Sequence, residues 1–287
     1  MENNPLKFSY FPGCSISEGT AKEYGISTKA VCEKLNIELK ELEDWNCCGA
    51  SAAHNLNDKL AVALPARNLA IAEKNNMDLI VLCAACFNRL KSADYHLKEN
   101  KGLKDEITSL LEMEYEGRIK IRHFLDILYN EIGLETIQSL VKQPLQGLKL
   151  VSYYGCLLVR PPEVTQFDDR ENPVILDELM EVLGAEPIRW SYKTDCCGGS
   201  LSVSKPDIVS ELSHKLLVKA REAGAKCLVT ACPMCFTNLE MRGKEKIPIF
   251  YFTELMGVAF GIQEMSVCLK KHLIDPRRLL KSLAILK

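Results

Sequence analysis

The chain has 287 residues, with 36 Lys and Arg against 38 Asp and Glu, and its formal net charge of −2 leaves no basic footprint for nucleic acid as a partner. At 47% hydrophobic and 26% charged, with no low-complexity tract, it reads as a folded globular protein long enough for one large domain or two ordinary ones. The start "MENNPLKFSYFPGC" lacks a basic segment followed by an apolar run, and no 18-residue apolar stretch occurs; both point to a cytoplasmic protein without a transmembrane segment.

In chain order, "LKFSYF" (6–11), "IELKELE" (37–43), "MDLIVL" (77–82) and "RIKIRHF" (118–124) carry the branched and aromatic residues of short strands. Between them, "GTAKEYGISTKAVCEKLN" (19–36) and "LAVALPARNLAIAEKNN" (60–76) have helical periodicity. Strand and helix alternate, which predicts an α/β module with a largely parallel sheet and ligand sites beyond the carboxyl ends of its strands.

The text then repeats itself. "LKFSYFPGC" returns as "LKLVSYYGC", "LIVLCAACFNRL" as "CLVTACPMCFTNL", and "IKIRHFLDIL" as "IPIFYFTELM". Two sets of five cysteines share one internal order: Cys14, Cys47, Cys48, Cys83 and Cys86, then Cys156, Cys196, Cys197, Cys232 and Cys235. The step from the second cysteine of the vicinal pair to the first of CxxC is 35 residues in both, from 48 to 83 and from 197 to 232. This is an internal duplication. From CxxC to the next strand is 33 residues in the first half and 12 in the second, which predicts a helical surface insertion around 95–117. The boundary falls near "KQPLQG" (142–147), giving modules over 1–145 and 146–287.

Thirteen cysteines, an odd number without a secretory signal, argue against a disulfide scaffold and for chemistry. Each CxxC is expected to open a helix, where backbone N–H groups favour thiolate over thiol. A closed zinc tetrahedron uses four ligands and strands a fifth thiol, and the CxxCxxC run usual for a cubane is missing. Adjacent residues diverge, so a vicinal pair suits two neighbouring irons better than one tetrahedral ion. An unusual iron–sulfur cluster fits best; zinc and redox-active dithiols stay open on spacing alone.

The signatures "FPGC…CCGA…CAAC" and "YYGC…CCGG…CPMC", with "PGCSISEGTAKEY", "DELMEVLGAEP" and "YFTELMGVAFG", resemble the B subunit of heterodisulfide reductase over roughly residues 7–275. The resemblance extends to heterodisulfide-reductase-like complexes of non-methanogens. It implies two homologous CCG modules with Rossmann-like parallel sheets, related by a pseudo-twofold. Each would bind a non-cubane 4Fe-4S cluster, on Cys14, Cys47, Cys48, Cys83 and Cys86 in the first and on Cys156, Cys196, Cys197, Cys232 and Cys235 in the second. It further implies a catalytic subunit that reduces or forms a disulfide held between the two clusters. The substrate would be a disulfide, a heterodisulfide or carrier-bound sulfur. The partners would be a ferredoxin-like C subunit with cubane clusters and a flavin-containing A subunit, in a cytoplasmic complex able to associate with a membrane. No glycine-rich nucleotide fingerprint appears, so electrons must come from outside. The alternatives are zinc in one module, and an electron-relay or assembly subunit without turnover.

Outside the signatures, Cys32 reads as a buried small hydrophobe, and Cys227 and Cys268 receive no role. His54 follows the first vicinal pair by six residues and is the candidate proton donor among five histidines. The other four, His96, His123, His214 and His272, have no motif around them. The small residues of "GASAAHN" (49–55) and "GGSLSVS" (198–204) are expected to open helices and line a cleft between like strand rims. "KKHLIDPRRLLKSLAILK" (270–287) reads as an amphipathic C-terminal helix, started at "PRR", that packs on its own domain, docks a partner subunit or lies on a membrane surface.

Overall fold

The computed structural model describes residues 4–17, 19–51 and 53–286; Glu18, Ala52 and Lys287, which fall in segments singled out above, lie outside them, as do residues 1–3. The first half builds β1 (Leu6–Phe11), α1 (Lys22–Lys34), β2 (Ile37–Glu41), α2 (Asp58–Lys74), β3 (Leu79–Val81), α3 (Ala84–Glu99), α4 (Lys101–Leu111) and β4 (Ile121–His123). The second builds β5 (Lys149–Tyr153), α5 (Ile175–Val182), β6 (Glu186–Pro187), α6 (Pro206–Glu222), β7 (Cys227–Thr230), α7 (Pro233–Arg242), β8 (Ile249–Tyr251), α8 (Phe252–Ala259) and a short α9 (Arg277–Ser282). Each half makes one four-stranded sheet, ordered β2-β1-β3-β4 and β6-β5-β7-β8, with every pairing parallel. This is the α/β class with duplicated Rossmann-like modules.

The central strands β3 ("LIV") and β7 ("CLVT") are buried at every position, as strands covered on both faces must be. Two expected strands are shorter than their apolar text. The fourth of the first half ends at His123, whose ring Nδ1 accepts the Leu125 N–H at 3.3 Å and turns Phe124 into a helical cap. The third ends at Val81, because Leu82 already leads into the cysteine turn. Residues 95–117 hold the end of α3 and all of α4. There Asn100 caps the helix by accepting from Leu103 N–H at 3.0 Å, and Ile107 is the buried anchor.

The C-terminal helix starts at "PRR", as expected, and is short. The amphipathic pattern over 270–287 does not form one helix: a 3-10 turn at Leu269–Lys271 is followed by α9, which starts only after Pro276. Proline disfavours helix in the residue before it, so the pattern is cut there. Leu280 is fully buried against the chain's own core. Among the described residues no helix is long and apolar enough to cross a membrane.

The halves interlock by exchanging arms. Helix α1 packs on α8 of the other half, with Ser27 Oγ and Thr253 Oγ1 2.7 Å apart. Tyr24 on α1 stacks flat on Tyr251, centroids 4.2 Å apart at 2°, and Tyr251 stacks at 4.2 Å on Phe236. In return, the chain beyond Cys156 lies on α3: Asn88 Nδ2 donates to the Leu157 and Arg160 carbonyls at 3.1 and 2.8 Å, and Phe167 meets Phe87 and His123 edge-on.

Candidate metal centre

The single cysteine, the vicinal pair and the CxxC of each half all follow the carboxyl ends of parallel strands, so the topology gathers them on one rim per sheet. Cys83 and Cys232 are the N-caps of α3 and α7, and the helices begin at Ala84 and Pro233. Gly13 and Gly155 precede the single cysteines with φ of +69° in both. A Cβ on Gly13 would come 3.1 Å from Cys86 Sγ, and one on Gly155 3.0 Å from Cys235 Sγ. The backbone therefore passes against the CxxC sulfur where only glycine fits. The repeated "GC" in both halves was the sequence signal for this cradle.

Side chains hold the vicinal loops. Buried Asn68 on α2 accepts from Asn46 N–H at 2.9 Å and donates to Asn46 O at 2.8 Å, fixing the residue before Cys47. In the second half Tyr153 OH donates to Asp195 O at 2.7 Å, just before Cys196. Asn238 Nδ2 donates to Cys197 O at 3.4 Å and to Cys197 Sγ at 3.5 Å.

The sulfurs are linked to one another, and two of the links are the same in both halves. The first cysteine of each vicinal pair turns to the single cysteine: Cys47 to Cys14 at 3.9 Å, and Cys196 to Cys156. The second turns to the second cysteine of CxxC: Cys48 to Cys86 at 3.2 Å, and Cys197 to Cys235 at 3.4 Å. The fifth cysteines, Cys83 and Cys232, face each other across the two halves. Among the described residues no three cysteine, histidine or carboxylate side chains gather around a single-ion position. A tetrahedral thiolate site on zinc, with Zn–S of about 2.3 Å, would bring all its sulfurs to about 3.8 Å of one another. Sulfurs strung along the rim do not gather to that figure among the described residues; a polynuclear cluster, whose irons take thiolates at several separate corners, accepts them.

Exposure grades along the site. Cys14, Cys47 and Cys196 are exposed and Cys156 partly so, whereas Cys48, Cys83, Cys86, Cys197, Cys232 and Cys235 are buried. Within the linked sulfurs one member is held down and its partner up: Cys14, Cys86, Cys156 and Cys235 are raised by the neighbouring sulfur and by burial. Cys48 is held well below the usual thiol range by hydrogen bonds from Cys47 and Cys86. Cys83 is lowered first by Cys232 and then by Cys86. Cys196 is pulled down to about 6 by Cys156, against its desolvation, with the Gly198 N–H assisting.

Two residues without a motif prove structural to the site. Tyr24 OH lies 3.2 Å from Leu82 O and 3.4 Å from Ala231 O, the carbonyls before Cys83 and Cys232. His123, pushed down to about 4 by burial, is neutral, and its Nε2 donates to the same Leu82 carbonyl at 2.8 Å. His54, next to the first vicinal loop, lines a cavity with Arg89. Residues 49–55 and 198–204 open no long helix. They form single turns, Ala53–Leu56 and Gly199–Ser202, before α2 and α6 begin. Cys32 is buried in α1, Cys227 in β7, and Cys268 is likewise buried.

A family model described as a cysteine-rich domain, CCG, matches residues 8–91 and again 150–240. The B subunit of the ferredoxin/F(420)H(2)-dependent CoB-CoM heterodisulfide reductase of Methanosarcina acetivorans is 32% identical over 94% of this chain and 94% of its own. A protein of Archaeoglobus profundus named for its likeness to the heterodisulfide reductase B subunit is 30% identical over 91% of this chain and 93% of its own. The 8-methylmenaquinol:fumarate reductase membrane anchor subunit of Wolinella succinogenes is 31% identical over 95% of this chain and 99% of its own. Among solved structures, a hypothetical protein from Helicobacter pylori superposes with a TM-score of 0.70 at 15% identity, over 95% of this chain. The chain spans 53% of that structure, and the likeness is one of fold.

Proposed function

The chain belongs to the cysteine-rich CCG domain family, carries the domain twice, and has heterodisulfide reductase B subunits among its relatives; from that premise we propose that it is the catalytic subunit of a heterodisulfide-reductase-like complex. In this reading the ten signature cysteines hold two non-cubane 4Fe-4S clusters, one per half, with Cys14, Cys47, Cys48, Cys83 and Cys86 on the first and Cys156, Cys196, Cys197, Cys232 and Cys235 on the second. The observation that carries it is a repeated set of links, from the single cysteine to the first of the vicinal pair and from the second of the pair to the last of CxxC. It repeats in both halves, leaves one exposed end on each site, and brings the buried ends together at Cys83 and Cys232.

When bound, the two clusters supply one electron each, so that a disulfide takes up two electrons and two protons and leaves as two thiols. The chain's own residues do the positioning. Gly13 and Gly155 leave room for the CxxC sulfurs, Asn68 and Asn238 hold the vicinal loops, and Tyr24 with His123 pins the carbonyls ahead of Cys83 and Cys232. The exposed Cys14, Cys47 and Cys196 mark the rim a substrate reaches from solvent. The substrate class is a disulfide, a heterodisulfide or sulfur bound on a carrier. Electrons arrive from a ferredoxin-like C subunit with cubane clusters and a flavin-containing A subunit, in a cytoplasmic complex that can sit at a membrane.

A second reading has its own support. The Wolinella relative, matched over 99% of its length, is named as the membrane anchor subunit of a fumarate reductase, which supports a second reading of this chain as a relay or assembly subunit without disulfide turnover. Electron paramagnetic resonance on the anaerobically purified protein separates the two. The enzyme reading predicts a new paramagnetic signal that appears only when a disulfide substrate is added. An unchanged spectrum across disulfides, with clusters that still reduce and reoxidise, supports the relay.

A further inference from the structure

Away from the cysteine rim, the seam where the two halves interlock encloses three carboxyls and one imidazole. Glu23 comes from α1 of the first half; Glu240 on α7, Glu254 on α8 and His272 after the Leu269–Lys271 turn come from the second. All four are buried. Glu254 uses both oxygens: Oε1 lies 2.8 Å from His272 Nε2, and Oε2 accepts the Tyr251 N–H at 2.9 Å. Glu240 Oε1 accepts the Ile274 N–H at 3.3 Å and lies 3.9 Å from His272 Nδ1, which is buried without a hydrogen-bond partner. The carboxyl of Glu23 turns to its own backbone N–H.

The duplication provides an internal control, and its charges are reversed. Aligned on the CxxC, Glu240 matches Lys91; aligned on the strand that follows, Glu254 matches Asp126. In the first half these positions are a lysine and an aspartate that attract each other, and Asp126 also holds Arg122 in an ion pair. In the second half both are glutamates. Among the described residues no lysine or arginine pairs with either of them or with Glu23; the imidazole stands alone between them. One imidazole can balance one carboxylate. The other two carboxyls sit where a charge without a partner is costly, and binding a proton relieves that cost.

Burial raises the carboxyls of Glu23 and Glu240, and Glu254 adds to the rise in both. His272 is lowered by burial and raised by Glu254, Glu240 and Glu23, and the rise prevails. Tyr24 on α1, Tyr251 on β8 and Cys268 also face the cluster; burial lifts all three, so they stay neutral. Lys271, exposed, acts on Glu23 and Cys268 from the surface.

We propose that this cluster is a pH-sensitive latch between the two halves: with protons on His272 and among the carboxyls it holds α1 against α8, and as they leave, the like charges of Glu23, Glu240 and Glu254 push α1 away. Glu23, Glu240 and His272 all bind their protons more tightly in the folded chain. Their stabilisation is therefore complete below about pH 4.5 for the two carboxyls and below about 6.5 for the imidazole, the ordinary values, and is lost as pH rises through the raised ones. Tyr24 follows Glu23 on α1, so the latch also holds the hydroxyl that reaches the Leu82 and Ala231 carbonyls. The latch is compatible with the disulfide reading and with the relay reading alike.

Hydrogen exchange of the anaerobically purified full chain, read by mass spectrometry from about pH 6 to 9 and corrected for the intrinsic rise of exchange with pH, tests this. The expected result is that the amides of α1 open about tenfold or more often at the alkaline end, the effect of one group raised by one pH unit. Helix α2, which packs on α3 and α4 inside the first half, should show no such gain. Glu23→Gln keeps the shape without the charge and should flatten the rise in α1. An α1 that gains nothing, or an α2 that gains as much, overturns the proposal on the native chain alone, whether or not the variant folds. A rise undiminished in Glu23→Gln overturns it as well.

Discussion

Replacing Gly13 by alanine tests the cysteine cradle at its tightest point. At φ +69° an alanine bears the left-handed penalty of about 1–2 kcal/mol, part of which is offset by roughly 0.4–1 kcal/mol of entropy lost from the unfolded chain. The net cost in stability is about 1 kcal/mol, a fall in melting temperature of roughly 2–4 °C for a chain of this size. The added Cβ also meets Cys86 Sγ at 3.1 Å, so the sulfur must retreat by a few tenths of an ångström from the place where it pairs with Cys48. Gly155→Ala repeats the experiment at Cys235, with 3.0 Å. Gly147→Ala is the control: its φ is +78°, and its Cβ would find only Leu283 Cδ2 at an ordinary 3.6 Å. All three variants should melt lower by similar amounts. Only Gly13→Ala and Gly155→Ala should lose iron and acid-labile sulfide, each from one half. Full iron in both, or equal iron loss in Gly147→Ala, would refute the reasoning.

Cys48→Ser should empty the first site and spare the second, whereas Cys83→Ser should disturb both, because Cys83 faces Cys232; iron counted per chain distinguishes a half loss from a larger one. Tyr24→Phe removes the hydroxyl that reaches the Leu82 and Ala231 carbonyls and should cost about 0.5–1.5 kcal/mol, read as a lower urea midpoint. His272 is fully enclosed at the end of the second half. Burial pushes its pKa down, but Glu254 Oε1 at 2.8 Å, with Glu240 and Glu23, outweighs burial and raises it. Its contribution is therefore complete below about pH 6.5, the unfolded imidazole value, and fades as pH rises through the raised folded value. The stability gap between the native chain and His272→Gln should narrow in that direction in urea titrations; a gap constant from pH 6 to about 9 contradicts it.

The parts of the fold that repeat were legible in the text. The equal 35-residue spacings and the apolar runs of β1, β3, β5 and β7 located the strands and both cysteine sets. Cys47 reaches Cys14 and Cys48 reaches Cys86, while the two also touch each other, a contact the expected divergence of neighbouring side chains did not include. What depends on packing between the halves was not legible. The meeting of Cys83 with Cys232 joins positions far apart in sequence through an interface that no local pattern encodes. Tyr24 has no repeat at the matching distance from Cys156, so the duplication did not flag it. His123 and His272 sit in ordinary apolar text, and only the fold shows that one is neutral against a carbonyl and the other locked to Glu254. At the C-terminus "PRR" marked the start of α9, and the residues before Pro276 stay out of that helix.

The central claim is that two sets of five cysteines hold polynuclear iron–sulfur clusters. Counting iron, acid-labile sulfide and zinc on the anaerobically purified full chain tests it most directly. The account predicts about eight iron and about eight sulfide per chain with only trace zinc, the content of two four-iron clusters. One or two zinc per chain with no labile sulfide would contradict it.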